Sequence, residues 1–263
     1  MNRSAFAGRL TSGHPPFPQR PTRRQNEAMS ETGRKPRVAG LLRLFRGLVP
    51  GNVAAAAGRR AIPALPPSPR YDRRQIEAAS FVVFDLETTG LDPQRGDEIV
   101  EIGAVRIEPG LRLEEIAFDL LLNPGRRIPP RATRVHGISD AMVAGRPGVH
   151  EGLARFRAFV GEAVLAAHSA DLDLGFLRHH PRFGFGQLGQ SLDTLGLSRA
   201  LHPGHRDHSL DACLARHAIA LPKRHRALPD ARATAQLLLA LLPLARERGA
   251  RTVADLQRLG RVG

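Results

Sequence analysis

The stretch FVVFDLETTG, residues 81–90, decides how the rest of the chain reads. Phe81 to Phe84 is a continuous apolar run with two β-branched residues, which predicts a buried strand. The run continues into Asp85 and Glu87, and burying an unpaired carboxylate is costly. Two residues apart on a strand, the acids project from the same face. TTGLDP then breaks the strand with a glycine and a turn. The pair therefore stands at the strand's C-terminal end, where open α/β sheets usually place ligands. Two converging hard oxygen donors suit Mg2+ or Mn2+ better than a structural ion pair. Taken alone, the pattern is weak evidence, because acids near a strand end are often simply solvated.

Around this strand the chain changes character. Residues 1–75 carry 15 Lys+Arg and 3 Asp+Glu, a net of +12. Residues 76–263 carry 24 and 22, a net of +2, so the basicity belongs to the N-terminal arm. The pI is therefore no argument that the folded part binds nucleic acid. HPPFPQRPTRR (14–24) and AIPALPPSPR (61–70) are too proline-rich for regular structure, and a disordered basic extension is expected over 1–76. Within it, AGLLRLFRGLVPG (39–51) has the pattern of a short amphipathic helix, either transient or docked on a membrane surface or partner. Met29 is an alternative start.

From about residue 77 the signals are regular. SFVVFDLE (80–87), EIVEIGAVRIE (98–108) and LEEIAFDLLLNP (113–124) read as three strands, and AVLAAH (163–168) as a fourth. Helices are expected near 149–160, near 173–180, over DTLGLSRALH and SLDACLARHAI, and over 230–249. A strand meander followed by alternating strands and helices predicts a mixed sheet with helices on its faces. The expected domain is 77–248, with a short tail over 249–263. A single cysteine, Cys213, excludes an internal disulfide and argues against a Cys-based zinc site. No stretch approaches the roughly 20 apolar residues of a membrane span, and no signal-peptide core is evident, so a cytoplasmic location is expected.

Further segments turn the Asp85/Glu87 pair into a pattern. They are DEIVEIGAVRI (97–107), RVHGISDAMV (134–143), LAAHSADLDLGFLRHH (165–180), SLDTLGLSRALHPGHRDHSLDACLARHAI (191–219) and HRALPDARATAQLLLALL (225–242). In this order and spacing, over about residues 78–245, the set resembles the DEDDh 3′→5′ exonuclease superfamily. It looks most like the proofreading epsilon subunit of bacterial DNA polymerase III and its stand-alone relatives. The resemblance implies an α/β, ribonuclease H-like mixed five-stranded sheet flanked by helices. It implies Asp85, Glu87, Asp173 and Asp230 as ligands of two Mg2+ or Mn2+ ions, and His225 as general base. It further implies Glu87, Thr88, Thr89, His136 and His225 as contacts of the terminal nucleotide. The implied partner is a nucleic acid with a single-stranded or frayed 3′ end, DNA favoured, and a polymerase is a possible second partner.

The residue chemistry suits these roles. Phosphodiester hydrolysis needs a deprotonated water and a stabilised leaving oxygen, and two metals roughly 4 Å apart can supply both. Four carboxylates neutralise two such ions, and without them mutual repulsion would oppose ionisation. A histidine, with an ordinary pKa near 6.5, is suited to accept the water's proton. Pro229 fits the first turn of a helix, and Asp230 beside it is favoured there by the helix dipole. Plain readings stand beside these. Asp173 has the plain reading of an N-cap, with Asp171 its rival for the metal. His225 reads as a loop residue and His136 as a turn cap. Asp193 and Asp211 read as caps. His202, His205, Asp207 and His208 have metal-like spacing but read as a polar loop.

The chain departs from the family pattern H-N-x-x-F-D at 168–173. Ser169 stands for an amide and Leu172 for an aromatic, so altered substrate grip is expected. With 33 residues after Asp230, the chain has less tail than the resemblance implies for a polymerase-tethered subunit. With aromatics at 5%, tight single-strand binding by stacking is not expected. The function classes in play are a DNA 3′→5′ exonuclease with a proofreading or repair role, an exoribonuclease, a non-catalytic nucleic-acid-binding module and a docked scaffold.

Overall fold

The computed structural model describes residues 72–187, 191–220 and 225–261. The expected docking helix at 39–51 and nearly all of the basic arm lie outside the described residues. Strand β1 (Phe81–Thr88) is the middle of a five-stranded sheet of order β3-β2-β1-β4-β5. β2 (Ile99–Glu108) runs antiparallel to β1, and β3 (Arg112–Leu121) runs antiparallel to β2. β4 (Val164–Ala167) and the two-residue β5 (Leu192–Asp193) extend the other side in parallel. Helices cover both faces, and this is the expected ribonuclease H-like arrangement.

The alternation of β1 sorts the core into two layers. Val82, Phe84 and Leu86 pack with Leu153, Phe156 and Val160 of α3 (Val149–Val160), and with Leu174 and Leu177 of α4 (Ala170–His179). Phe81 and Val83 pack on the opposite face, with Leu237, Leu238 and Leu241 of α7 (Ala227–Glu247). Both sides are buried, which explains why this strand reads as a continuous apolar run. Each fully buried leucine of α7 contributes about 1.5–3 kcal/mol of transfer free energy. Asp85 and Glu87 share the parity of Phe81 and Val83, so they face the helix that carries Asp230.

α7 begins three residues before the expected position and lies directly on β2. A Cβ on Gly103 would sit 2.1 Å from the Ala227 carbonyl carbon and the Leu228 nitrogen. Only a glycine lets the first turn of α7 approach this closely. α5 (Thr194–Leu201) and α6 (Leu210–Arg216) join the α7 layer, while α1 (Pro130–His136) and α2 (Asp140–Val143) pack in a smaller cluster with Val100 of β2.

The segment expected as a short tail, 249–263, carries α8 (Val253–Leu259). Val253 and Leu256 are fully buried in the α7 core layer. A Thr252/Asp255 capping box starts this helix, and Gln75 forms a β-bridge with Thr252. No helix among the described residues is long and apolar enough to cross a membrane.

Candidate active site

The C-terminal end of β1, the start of α4 and the start of α7 converge on one cleft of about 690 Å3. Asp85, Glu87, Asp173, His225 and Asp230 all line it. Carboxylate oxygens of Asp85, Glu87 and Asp230 lie within 4.8 Å of one another. It is the one group of three or more potential ligands this close among the described residues. Glu87, Asp173 and Asp230 are buried.

Asp173 lies in the first turn of α4, close enough for Glu87 to act on it. Burial, reinforced by the Glu87 charge, pushes its carboxyl well above the usual carboxylate range. A cation among these oxygens would reverse that shift, so the residues present fit a divalent ion. Asp171, the rival, is exposed and lines a separate depression with Arg178 and Arg199. The plain N-cap reading fails too, because Ser169 occupies the N-cap position.

Ser169 adopts a left-handed conformation, φ 64° and ψ 50°, which asparagine tolerates better than serine. Its N–H donates to Asp193 Oδ1 at 2.9 Å, and the same oxygen caps α5 through Leu195 N–H at 3.0 Å. Asp193 is thus the cap expected of it. Asp211 is not, since Ser209 is the N-cap of α6 and Asp211 lies one residue into the helix.

His225 stands exposed at the cleft, with φ 60°. Its backbone N–H donates to Asp230 Oδ2 at 3.1 Å, which ties histidine and acid together. On the opposite wall, His136 is buried at the C-terminus of α1, and its Nδ1 accepts the Ile138 N–H at 3.0 Å. The neutral ring therefore carries its proton on Nε2. Burial holds its pKa below the ordinary histidine value, opposed by a weaker interaction with the Thr88 backbone. His136 thus serves the turn and lines the cleft together. Thr88 and Thr89 also line it, but their hydroxyls are engaged in the loop. Thr88 donates to Gly90 O at 2.5 Å, and Thr89 bonds Asp97 Oδ1 at 3.2 Å and accepts the Glu98 N–H at 3.0 Å. The apolar rim consists of Leu91, Val135 and Leu172, all exposed.

The 202–208 histidines hold loop structure, as the plain reading has it. His208 is buried with Nδ1 on Ser198 Oγ at 2.9 Å, and Nε2 meets the His205 carbonyl at 3.0 Å.

The structure adds two residues that sequence reading passed over. Glu101 on β2, directly across from Glu87, is 1% exposed. It accepts two bonds of 3.0 Å from Arg226 Nε, one of 2.5 Å from Arg226 Nη2 and a fourth from Ala227 N–H at 2.9 Å. Glu101 and Gly103 thus hold the first turn of α7, beside His225. The signal was present in EIVEIGAV, an acid inside an apolar strand, the same anomaly that singled out Asp85.

A central strand ending in clustered carboxylates, with a histidine at the mouth of the same cleft, defines a nuclease-type site on a ribonuclease H-like sheet. The chain belongs to the RNase_T family, described as exonuclease, whose model matches residues 82–238. Residues of this chain are 48% identical over 180 positions to a DNA polymerase III subunit epsilon-like protein of Rhodobacter capsulatus, covering 67% of this chain and 26% of that protein. They are 36% identical over 191 positions to a PolC-type DNA polymerase III of Thermotoga petrophila, covering 72% and 14%. The chain thus spans about a quarter or less of the length of these relatives. Among solved structures, exonuclease X in complex with 5′-overhanging duplex DNA matches with a TM-score of 0.55 and 28% identity. That match covers 68% of this chain and 99% of the other. The nuclease domain of 3′hExo, a DEDDh family member bound to rAMP, shares the fold with a TM-score of 0.56 at 15% identity, over 65% of this chain and 94% of the other.

Proposed function

We propose that this chain is a divalent-metal-dependent 3′→5′ exonuclease that removes nucleoside 5′-monophosphates from single-stranded or frayed DNA ends. The observation that carries it is the Asp85, Glu87 and Asp230 cluster, within 4.8 Å, in a cleft that also presents Asp173 and His225. Asp85, Glu87, Asp173 and Asp230 hold the ions. When bound, two Mg2+ or Mn2+ ions supply an acidified water and charge stabilisation at the leaving oxygen.

His225 accepts the proton of the attacking water. The water oxygen bonds to phosphorus, the bond from phosphorus to the 3′ oxygen breaks, and that oxygen takes a proton from solvent. The exposure of His225 suits it to pass its proton on. Its backbone bond to Asp230 keeps the base in register with the ligands. Glu87, Thr88, Thr89 and His136 bound the terminal nucleotide. The threonine hydroxyls shape the loop, and the His136 ring forms part of the wall against which the nucleotide rests. Leu91, Val135 and Leu172 give the base aliphatic walls in place of aromatic ones.

The likeness to epsilon-like and PolC-type polymerase III proteins supports a proofreading or repair role beside a polymerase in the cytoplasm. The test uses 5′-labelled single-stranded DNA and a matched RNA with Mg2+, Mn2+ or EDTA, for wild type, Asp85→Ala and His225→Ala. Shortening from the 3′ end, abolished by EDTA and by either substitution, is expected, with DNA the faster substrate. A faster RNA would make the chain an exoribonuclease. Folded protein that shortens neither strand would leave only a binding module.

A further inference from the structure

Beyond α1 lies a second depression of about 630 Å3, lined by Arg127, Thr133, Arg134, Ser139 and Asp140. The two hollows share α1 as their dividing wall. Arg131, Ala132, Val135 and His136 line the cleft, while Thr133 and Arg134 line the second depression. The charge here is unlike that of the rest of the domain. Residues 120–139 hold four arginines (126, 127, 131 and 134) and no acid. The remainder of 76–263 holds 20 basic and 22 acidic residues, so the domain is net negative without this segment.

Arg126 is engaged with Asp97 and the Gly96 carbonyl, where it ties down the β1–β2 loop. Arg127 is 97% exposed and meets Asp140 only at 3.8 Å. Asp140 Oδ1 accepts the Ile128 N–H at 2.8 Å, so that carboxylate is already committed to the loop. Arg131 and Arg134, three apart on α1, share its outer face and are exposed.

The geometry points to this depression as the track for the single strand upstream of its 3′ end, with Arg127 and Arg134 on the phosphates and the Thr133 and Ser139 hydroxyls beside them. This rests on the exonuclease reading of the adjoining cleft. An α-helix with its side chains is about 10 Å across, so a mononucleotide in the cleft does not reach over α1 whereas an oligonucleotide does. Phosphate contacts of this kind give affinity without sequence preference, and they weaken as salt rises.

The test compares wild type with Arg127→Ala/Arg134→Ala, both checked by thermal melting. The p-nitrophenyl ester of thymidine 5′-monophosphate reads the cleft alone, and a short single-stranded oligonucleotide reads cleft and track. Oligonucleotide binding is also followed by fluorescence anisotropy across salt. The variant is expected to hydrolyse the ester at the wild-type rate and to show a raised KM for the oligonucleotide. Its slope of log affinity against log salt should be shallower by about 1.4, roughly 0.7 for each lost contact on a single strand. Unchanged oligonucleotide KM and salt slope would overturn the track and leave an acidic protein surface as the occupant. Parallel loss of ester hydrolysis would overturn it as well, because the arginines would then act on the cleft itself. Wild type that hydrolyses neither substrate would sink the exonuclease reading, while the salt slopes still decide the track.

Discussion

Removing the Glu101 carboxylate tests whether β2 is what holds the histidine and the fourth acid in place. Glu101 is 1% exposed and Arg226 24%, with the two bonded through both carboxylate oxygens. Breaking a buried pair from one side costs about 3–5 kcal/mol, because the remaining charge is stranded. Arg226 keeps part of its surface in water, so the lower end, about 3 kcal/mol, applies to the guanidinium. The Ala227 N–H loses its acceptor as well, for about 1 kcal/mol more. Glu101→Ala should therefore lose about 4 kcal/mol, out of the 5–15 typical of a whole domain. Glu101→Gln keeps a neutral acceptor and should lose about half of that. Urea unfolding measures both. Exonuclease kcat is then taken at a temperature where each variant is fully folded, and it should fall in the same order. A loss under about 1 kcal/mol for Glu101→Ala, or wild-type kcat in the folded variant, would refute the reasoning.

Other perturbations follow from the same geometry. Gly103→Ala puts a Cβ 2.1 Å from the backbone of α7 and should cost about 1–3 kcal/mol or more, together with activity. Intact stability by denaturant titration would show that the helix yields instead. Ser169→Asn should raise stability by a few tenths to about 1 kcal/mol by relieving the left-handed serine. A lower urea midpoint would count against that. The raised Asp173 pKa means that the folded state holds a proton the unfolded chain has released, across the window from the ordinary value of 3.8 up to the folded one. Metal-free protein should therefore lose stability as pH rises through that window, and Mn2+ should raise Tm more near pH 8 than near pH 5. An equal Mn2+-induced shift at both pH values contradicts this.

The central strand and the order of the acids were legible because they break a local rule. A carboxylate in an apolar run is visible without coordinates, and so are a glycine and a turn after it. The ends of α4 and α7 were not, since both helices begin three residues earlier than their periodic pattern suggests. Ser169 starts α4 from a left-handed backbone, and Glu101 supplies from another strand the acceptor that the N-terminus of α7 lacks in its own sequence. Neither device has a periodic signature. Asp171 and Asp173 share one helical turn, and the motif spacing that favours Asp173 agrees with its burial. α8 escaped because its two core residues, Val253 and Leu256, sit in a segment too short to show a repeat. Thr88 and Thr89 line the cleft, but the engagement of their hydroxyls is a property of the folded loop.

The acids of the cleft come from widely separated points in the chain. Asp85 and Glu87 are synthesised before His225 and Asp230, which lie at the start of α7. That helix has a seat waiting on β2, in Glu101 and Gly103. Until it docks, a growing or truncated chain holds at most three of the four carboxylates, and it lacks the histidine proposed to act on the water. On the proposed mechanism a chain without α7 cannot assemble the site, and cutting power appears only when α7 docks on β2.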